Sequence, residues 1–370
     1  MKTPLRAALA AITLTATVCS SLLVTPTAVA DNNTENKTVI AAIGDWPYSQ
    51  FLLDNAHLLI NSINTDTTVN LVVHVGDLHS GSMPCTSAGI LPPIATSNPG
   101  WNQAVFNRFQ QFDAPLVYTP GDNEWADCHK SKQKSSGAPL RELDSVRSLF
   151  FAKPGVSLGR QEKRVFSQAD YFDPAFPADS KFVENVMWQQ GKTVFVTLNI
   201  PGGSNDDATA WTGDFADANQ IAERADRAPA NLRWLKAAFA YARRNGAKAL
   251  VVAEQADLWD AEFASSGGLS NYTPFVQELA AQALAFRRPV LVINGDTHLF
   301  LADRPLADPA SITGGYHHTP AVPNLQRVVV QGSTNDPSQW LRITIDTSTR
   351  EVFSWSNVPY CSNPSTAVCR

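Results

Sequence analysis

The run Val39-Ile40-Ala41-Ala42-Ile43-Gly44-Asp45 decides how this chain is read. Five apolar residues in a row are too few for a helix and suit a strand buried on both faces, while Gly-Asp supplies the turn at its end. Beyond it, Phe51, Leu52, Ala56, Leu59 and Ile63 recur at helical spacing, and Val69 to Val75 then repeats the apolar run and ends in Gly76-Asp77. Strand, helix, strand is the βαβ unit, whose parallel strands bind ligands beyond their carboxyl ends. The spacing therefore predicts that Asp45 and Asp77 are neighbours in space.

Working outward, the same event recurs. Trp101 to Phe112 reads as a helix and Pro115 to Tyr118 as a strand, followed by Gly121-Asp122-Asn123-Glu124. Leu232, Leu235 and Phe239 mark one face of a helix that stops at Gly246, after Arg243 and Arg244 complement its dipole. Leu250 to Ala253 is a strand leading into Glu254-Gln255-Ala256-Asp257. After a helix over Phe275 to Phe286, Pro289 to Ile293 is another strand, ending in Gly295-Asp296-Thr297-His298. Val328 to Val330, Leu341 to Ile345 and Val352 to Trp355 are β-rich and close the chain in antiparallel hairpins, with Asp346 to Thr349 as a turn. Residues 84–100, 129–139 and 201–219 are polar or rich in Pro, Ser, Thr and Gly and read as loops. No fixed-period repeat is present, and residues 31–370 are expected to form one domain.

Composition narrows the function classes. Of 370 residues 44% are hydrophobic and 17% charged, which excludes a disordered polymer. Lys and Arg total 29 against 34 Asp and Glu, and a net charge of −5 lacks the basic excess of a nucleic-acid binder. Residues 1–30 place Lys2 and Arg6 before a stretch of small and apolar residues ending in Ala28-Val29-Ala30, the pattern of a cleavable export signal. Its removal takes two positive charges, lowers the net charge to −7 and leaves no transmembrane segment, so a secreted or periplasmic protein is expected. Cys19 leaves with the signal. Of the remaining four cysteines, Cys361 and Cys369 lie close enough in sequence to staple the tail, and Cys85 and Cys128 then pair by elimination. No Cys-x-x-Cys spacing supports zinc instead.

The ordered blocks Gly44-Asp45, Gly76-Asp77, Gly121-Asp122-Asn123-Glu124, Gln255 and Gly295-Asp296-Thr297-His298 resemble those of the calcineurin-like metallophosphoesterases, which include the purple acid phosphatases. The resemblance covers roughly residues 38 to 300. It implies an α/β fold of two packed mixed β-sheets flanked by helices, a four-layer sandwich, with two metal ions at the strand ends activating a water against a phosphate ester. Carried over, it implies that Asp45 binds the first metal, Asp77 bridges, Asp122 and Gln255 hold the second with Asp296, and His298 joins the first. Four departures stand out. Asp45-Trp46-Pro47 replaces Asp-x-His, Asn123 replaces the usual catalytic histidine, Gln255 stands at a histidine position, and Asp296 replaces the first histidine of Gly-His-x-His.

These exchanges trade imidazole for oxygen, which favours manganese, magnesium or calcium over zinc or iron, with one or two divalent ions expected. Converging carboxylates repel one another and raise their proton affinities unless a cation intervenes. Four ionised aspartates would also cancel the charge of two ions, weakening the pull on phosphate unless a loop Arg or Lys contributes. Losing the histidine costs a proton donor worth a factor of about a hundred or more. The expected partner is a small phosphate mono- or diester. The alternative is a non-catalytic metal- or ligand-binding protein on the same scaffold.

Asn123 and His79 are the candidate substrate-facing groups, His79 lying two residues beyond Asp77; its alternative is a polar loop residue. His74 reads as a core histidine and His57 as a packing residue on its helix. Tyr316-His317-His318 reads equally as a contact to substrate or metal and as surface loop. Trp125 reads as structural, and Glu254 and Asp257 as helix-start or turn residues beside Gln255. No Gly-x-x-x-x-Gly-Lys, Gly-x-Gly-x-x-Gly or Gly-x-Ser-x-Gly motif is present.

Overall fold

Alternation along the first strand sets the layers. In the computed structural model, which describes residues 35–85, 100–133, 137–213 and 216–361, β1 (Lys37–Ile43) sends Ile40 and Ala42 to one side and Ala41 and Ile43 to the other. Both sets are buried, as period-two alternation demands of a strand covered on both faces. There follow α1 (Ala56–Thr65), β2 (Leu71–His74), α2 (Trp101–Phe109), β3 (Leu116–Tyr118), α3 (Pro139–Phe150), β4 (Phe166–Ser167), β5 (Val186–Gln190), β6 (Thr193–Thr197), α4 (Ala216–Arg244), β7 (Ala249–Ala253), α5 (Thr273–Phe286), β8 (Val290–Asn294), β9 (Leu301–Asp303), β10 (Leu325–Val329), β11 (Gln339–Asp346) and β12 (Phe353–Pro359), among shorter turns.

Two mixed sheets result. One has the order β12-β11-β1-β2-β3, the other β4-β5-β6-β7-β8-β10-β9. β1, β2 and β3 run parallel, as do β6, β7, β8 and β10, while the outer strands join antiparallel. Ile40, Ala42 and Val73 of the first sheet meet Phe195, Val251 and Ile293 of the second in a shared core. The opposite face of the second sheet, with Leu250, Val252 and Val292, carries Trp234 and Phe239 of α4 and Val276 and Leu279 of α5. On the other side, α1, α2 and α3 cover the first sheet with Leu59, Ile63, Phe109 and Phe150. The expected α/β architecture of two mixed sheets flanked by helices is therefore the observed one. Truncating a side chain at its centre, such as Ile293→Ala, would cost about 2–5 kcal/mol.

Several local expectations change. Residues 201–219 are not one loop: a short turn at Gly202–Asp206 is followed by α4, which begins at Ala216 and continues through Pro229. Loop composition at 129–139 gives way to α3, which has Pro139 in its first turn. His57 is exposed on α1, because Ala56, Leu59, Ile60 and Ile63 take the buried face. The strands β5 and β6 form a hairpin around Gly191.

Cys85 and Cys128 are disulfide-bonded, with Cα atoms 5.8 Å apart. Cys361 is buried and disulfide-bonded, while its expected partner Cys369 and the expected signal 1–30 lie outside the described residues. The described residues belong to one compact unit, Asn32–Arg370. Among them no helix is long and apolar enough to cross a membrane.

Candidate functional site

The carboxyl ends of parallel strands from both sheets meet along one edge. β1 delivers Asp45, β2 delivers Asp77, the turn beyond β3 delivers Asp122 and Asn123, β7 delivers Gln255, and β8 delivers Asp296 and His298. The strand-end spacing predicted that Asp45 and Asp77 are neighbours, the resemblance implied the rest of the set, and the side chains contact one another. Asp296 N–H donates to Asp45 Oδ2 at 3.2 Å, and His298 Nε2 lies 3.3 Å from Asp45 Oδ1. The Asn123 amide donates to Asp77 Oδ2 at 2.9 Å, and its backbone N–H to Asp77 Oδ1 at 3.2 Å. Gln255 Nε2 lies 3.3 Å from Asp77 Oδ2, 3.3 Å from Asp122 Oδ1 and 3.1 Å from Asp296 Oδ1.

Backbone conformation is part of the assembly. Asp45, Asp77, Asp296 and His298 all have positive φ, at 48°, 60°, 74° and 64°. Such left-handed non-glycine residues cost about 1–3 kcal/mol each and cluster at functional sites. The glycines between them permit close approach: a methyl at Gly121 would lie 1.9 Å from Asp77 Oδ1, and one at Gly295 would lie 2.5 Å from Asp45 Oδ2.

Residues 203–206 form a left-handed turn beside the cluster, with φ near 60° at Gly203, Ser204, Asn205 and Asp206. Left-handed residues cost roughly 1–2 kcal/mol apiece, so the turn needs external support. The fully buried Arg227 gives it, donating to Asn205 Oδ1 at 2.5 Å. Trp211 Nε1 and Gln220 Nε2 donate to Asp206 Oδ1 and its carbonyl at 3.0 and 2.8 Å. In front of the turn, Gly202 N–H donates to Gln255 Oε1 at 2.5 Å.

Tyr48 is not singled out by the sequence pattern, yet it sits among the predicted ligands. Its hydroxyl lies 3.0 Å from Asp77 Oδ2 and 3.2 Å from Asp45 Oδ1, to either of which it can donate its one proton, and 3.5 Å from His298 Nε2. The available signal was its position, three residues after Asp45, where Pro47 cannot serve. Burial and the carboxylates of Asp77, Asp45 and Asp122 push the phenol well above its ordinary range, so it stays a donor.

Burial and mutual repulsion raise the proton affinity of the acids, an effect a bound cation would oppose. Burial, then Asp122, Glu124, Asp45 and Asp296, raise Asp77 well above the usual carboxylate range. Asp296 is raised by burial, Asp122 and Asp45. Asp122 is pushed up to about 7 by burial and Asp127, against the pull of Lys130 and Lys132. Asp45 is raised by burial, with His298 opposing.

The donor set can be tested against the divalent ion that the motif pattern implies. Among the described residues no three His, Cys, Asp or Glu side chains are gathered closely enough to hold an ion by themselves. With Tyr48 included, Tyr48 Oη, Asp45 Oδ1 and His298 Nε2 form a triangle with edges of 3.2, 3.3 and 3.5 Å. Ligands at right angles around calcium lie about 3.3–3.7 Å apart, and around magnesium about 2.8–3.0 Å apart. By edge length alone this corner, with Asp77 beside it, would suit an ion larger than magnesium, while its imidazole nitrogen is a ligand that calcium's preference for oxygen does not favour. The second corner does not fit as it stands. Gln255 presents its amide nitrogen to three carboxylates, and an amide N–H donates but does not ligate. Reversing the amide would set two donors, Nε2 and Gly202 N–H, against each other.

The remaining candidates fall outside the ligand cluster. His79 is fully buried, and burial lowers its pKa to about 4; its Nδ1 faces the Ser80 carbonyl at 3.2 Å, and no hydrogen bond joins it to the four aspartates. His74 is a core residue, with Nε2 2.9 Å from the Trp46 carbonyl. His317 is held by Thr273 at 3.0 Å and by the Leu258 carbonyl at 2.7 Å, while His318 is exposed. Glu124 accepts from Leu78 N–H at 3.0 Å and Tyr118 at 2.9 Å, bracing the Asp77 turn from beneath. Trp125 is fully buried under the Arg227 guanidinium, 5.4 Å from the ring centroid. Asp257 pairs with Arg327 at 2.5 Å, and Glu254 is buried and raised well above normal by burial and Asp257.

Comparison with known proteins adds little. No family model matches the chain. No curated protein matches it. Among solved structures it aligns with one titled "GAP50 the anchor in the inner membrane complex of Plasmodium", at 10% identity and a TM-score of 0.40, covering 87% of this chain and 89% of that one. A likeness at that level carries no argument about what this chain does.

Proposed function

We propose that this chain is an exported, divalent-cation-dependent phosphoesterase. The observation that carries the reading is the gathering of Asp45, Asp77, Asp122 and Asp296 from four separate strand-end turns, three of them in strained backbone, with His298 and Tyr48 completing one cation corner. The export pattern at the N-terminus and the buried Cys85–Cys128 bond support an oxidising compartment. Asp45, Asp77, His298 and Tyr48 would hold the ion. When bound, it supplies Lewis acidity at a phosphoryl oxygen and lowers the pKa of water.

The chain's own residues supply positioning. Asn123, buried in the site, commits both amide hydrogens to Asp77 and Tyr48, and would donate to a phosphoryl oxygen by exchanging one of these bonds for it. It cannot deliver a proton as an imidazolium can, so esters with good leaving groups suffer least. Gln255 spreads one amide over three carboxylates and fixes their spacing. The test is turnover of phosphomonoesters and phosphodiesters with added manganese, magnesium or calcium. Equal rates for wild type and Asp77→Ala would reject the site.

One observation favours a second reading, a cation-binding protein without turnover. Gln255 fills the second corner with a donor, leaving one ion where the two-ion chemistry implied by the motifs needs two. Tightly held calcium with no hydrolysis of any ester would select it.

A further inference from the structure

The acidic cluster has too little positive charge around it to attract a phosphate, yet two ammonium groups stand at its rim. Lys130 and Lys132 follow the disulfide cysteine Cys128 and converge on a single buried carboxylate. Lys130 Nζ is 2.5 Å from Asp127 Oδ1 and Lys132 Nζ is 3.1 Å from Asp127 Oδ2. Asp127 is 3% exposed, and its backbone N–H is fixed to the Asp122 carbonyl at 2.9 Å. One carboxylate against two ammoniums leaves a positive charge in excess, held at a fixed distance from the cluster.

That excess charge faces the site. The point where a Gly81 side chain would begin is 2.9 Å from Lys132 Nζ and 2.6 Å from Asn123 Oδ1, so the lysine lies alongside the candidate substrate-facing amide. The corresponding point at Gly203 is 3.9 Å from both Lys130 Nζ and Asp122 Oδ2. Glycine at 203 leaves open the space between Lys130 and Asp122, whereas at 81 the bare backbone packs directly against Lys132 and Asn123, where a side chain would displace one of them. The two ammonium groups also remain available, with 18% of the Lys130 side chain and 54% of the Lys132 side chain exposed.

We propose that Lys130 and Lys132 form an anion-contacting arm that receives the non-bridging oxygens of the substrate phosphate and favours dianionic phosphomonoesters over monoanionic diesters. The proposal rests on the phosphoesterase reading for its substrate, while its charge geometry is independent of turnover. Two fixed cations attract a dianion more strongly than a monoanion, and ammonium-to-phosphate contacts are charge-assisted. A purely structural role, in which the lysines only neutralise Asp127, would affect folding and leave anion affinity unchanged.

The experiment measures orthophosphate binding by calorimetry to the whole protein, with calcium and with chelator, alongside phosphomonoester and phosphodiester kinetics. The variants are Lys130→Gln, Lys132→Gln and the double change. The expected result is a loss of about tenfold or more in orthophosphate affinity per lysine, a matching rise in KM for the monoester with little change in kcat, and a smaller effect on the diester. Lys132→Arg should restore most of the affinity. If the double variant fails to fold, the exposed Lys132→Gln change alone decides. Unaltered orthophosphate affinity in a folded variant overturns the proposal, as does an equal loss for monoester and diester. If wild type hydrolyses no ester, the proposed function falls, while lysine-dependent orthophosphate binding would still support the arm.

Discussion

Cutting the Cys85–Cys128 bond should loosen the site as well as the fold. The bond closes a loop with a sequence separation of 43 residues and joins the segment after Asp77 to the turn that carries Asp122. Loop-closure entropy for a ring of that size amounts to about 4 kcal/mol. Unfolding entropy near 2 cal/mol/K per residue gives about 0.7 kcal/mol/K for a unit of this size, so Cys85→Ala with Cys128→Ala should lower Tm by about 6 °C. The sulfurs also lie under the substrate-facing amide: Cys85 Sγ is 3.6 Å and Cys128 Sγ 3.9 Å from the Asn123 carbonyl. Calorimetry of the double variant should show the fall in Tm, and calcium titration should show weaker binding in the same sample. A Tm within about a degree of wild type, together with unchanged calcium affinity, would refute the argument that this staple organises the site.

Replacing Tyr48 with Phe should weaken calcium or manganese binding by about ten- to hundredfold, as loss of an orienting group at a metal centre does; isothermal titration measures it, and unchanged affinity removes Tyr48 from the ion's corner. Gln255→Glu should cost about 3–5 kcal/mol in chelator, because it exchanges a donor shared by three carboxylates for a fourth charge; added calcium should recover part of that loss in a denaturant series. In cation-free protein Asp122 holds its proton up to about pH 7 against an ordinary value of 3.8. The stability this proton contributes is complete below about pH 4 and is lost as pH rises through 7. Tm in chelator should therefore lose this contribution between about pH 4 and 7, where the buried His74 and His79 contribute the opposite slope, so the wild-type profile should fall relative to that of Asp122→Asn across this interval and run parallel to it above. Parallel profiles from about pH 4 to 7 would count against crowding of the acids. Arg227→Met should destabilise the protein by about 3–5 kcal/mol, since Glu223 and Asn205 would lose a fully buried partner.

The strands β1, β2, β3, β7 and β8 were legible because each is a short apolar run cut off by Gly-Asp or an equivalent turn, and that same punctuation gave Asp45, Asp77, Asp122, Asp296 and His298. Alternation between two buried faces is invisible in letters such as Val39-Ile40-Ala41-Ala42-Ile43, where every residue is apolar, so the division of cores follows only from the register. The hairpin of β5 and β6 ends in no acid and stands outside that punctuation, although Trp188 and Phe195 flanking Gln190-Gly191 carry a strand signal. Tyr48 and the Gln255 amide resist a linear reading for a different reason. Their roles depend on where a turn points a side chain, and in the case of Gln255 on a single N–H from Gly202, more than fifty positions away. Lys130 and Lys132 are concealed by composition, because two lysines in a polar stretch look the same whether they face water or an acidic cleft.

The left-handed turn at residues 203–206 makes Arg227 a remote governor of the site. That guanidinium holds a conformation most side chains avoid, the turn positions Gly202 N–H, and the N–H decides which end of the Gln255 amide meets the carboxylates. Release of Arg227 would free Gln255 to rotate and offer its oxygen instead. Ion stoichiometry would then respond to a residue that touches no ion, and the Arg227→Met protein is the one in which to look for a second calcium.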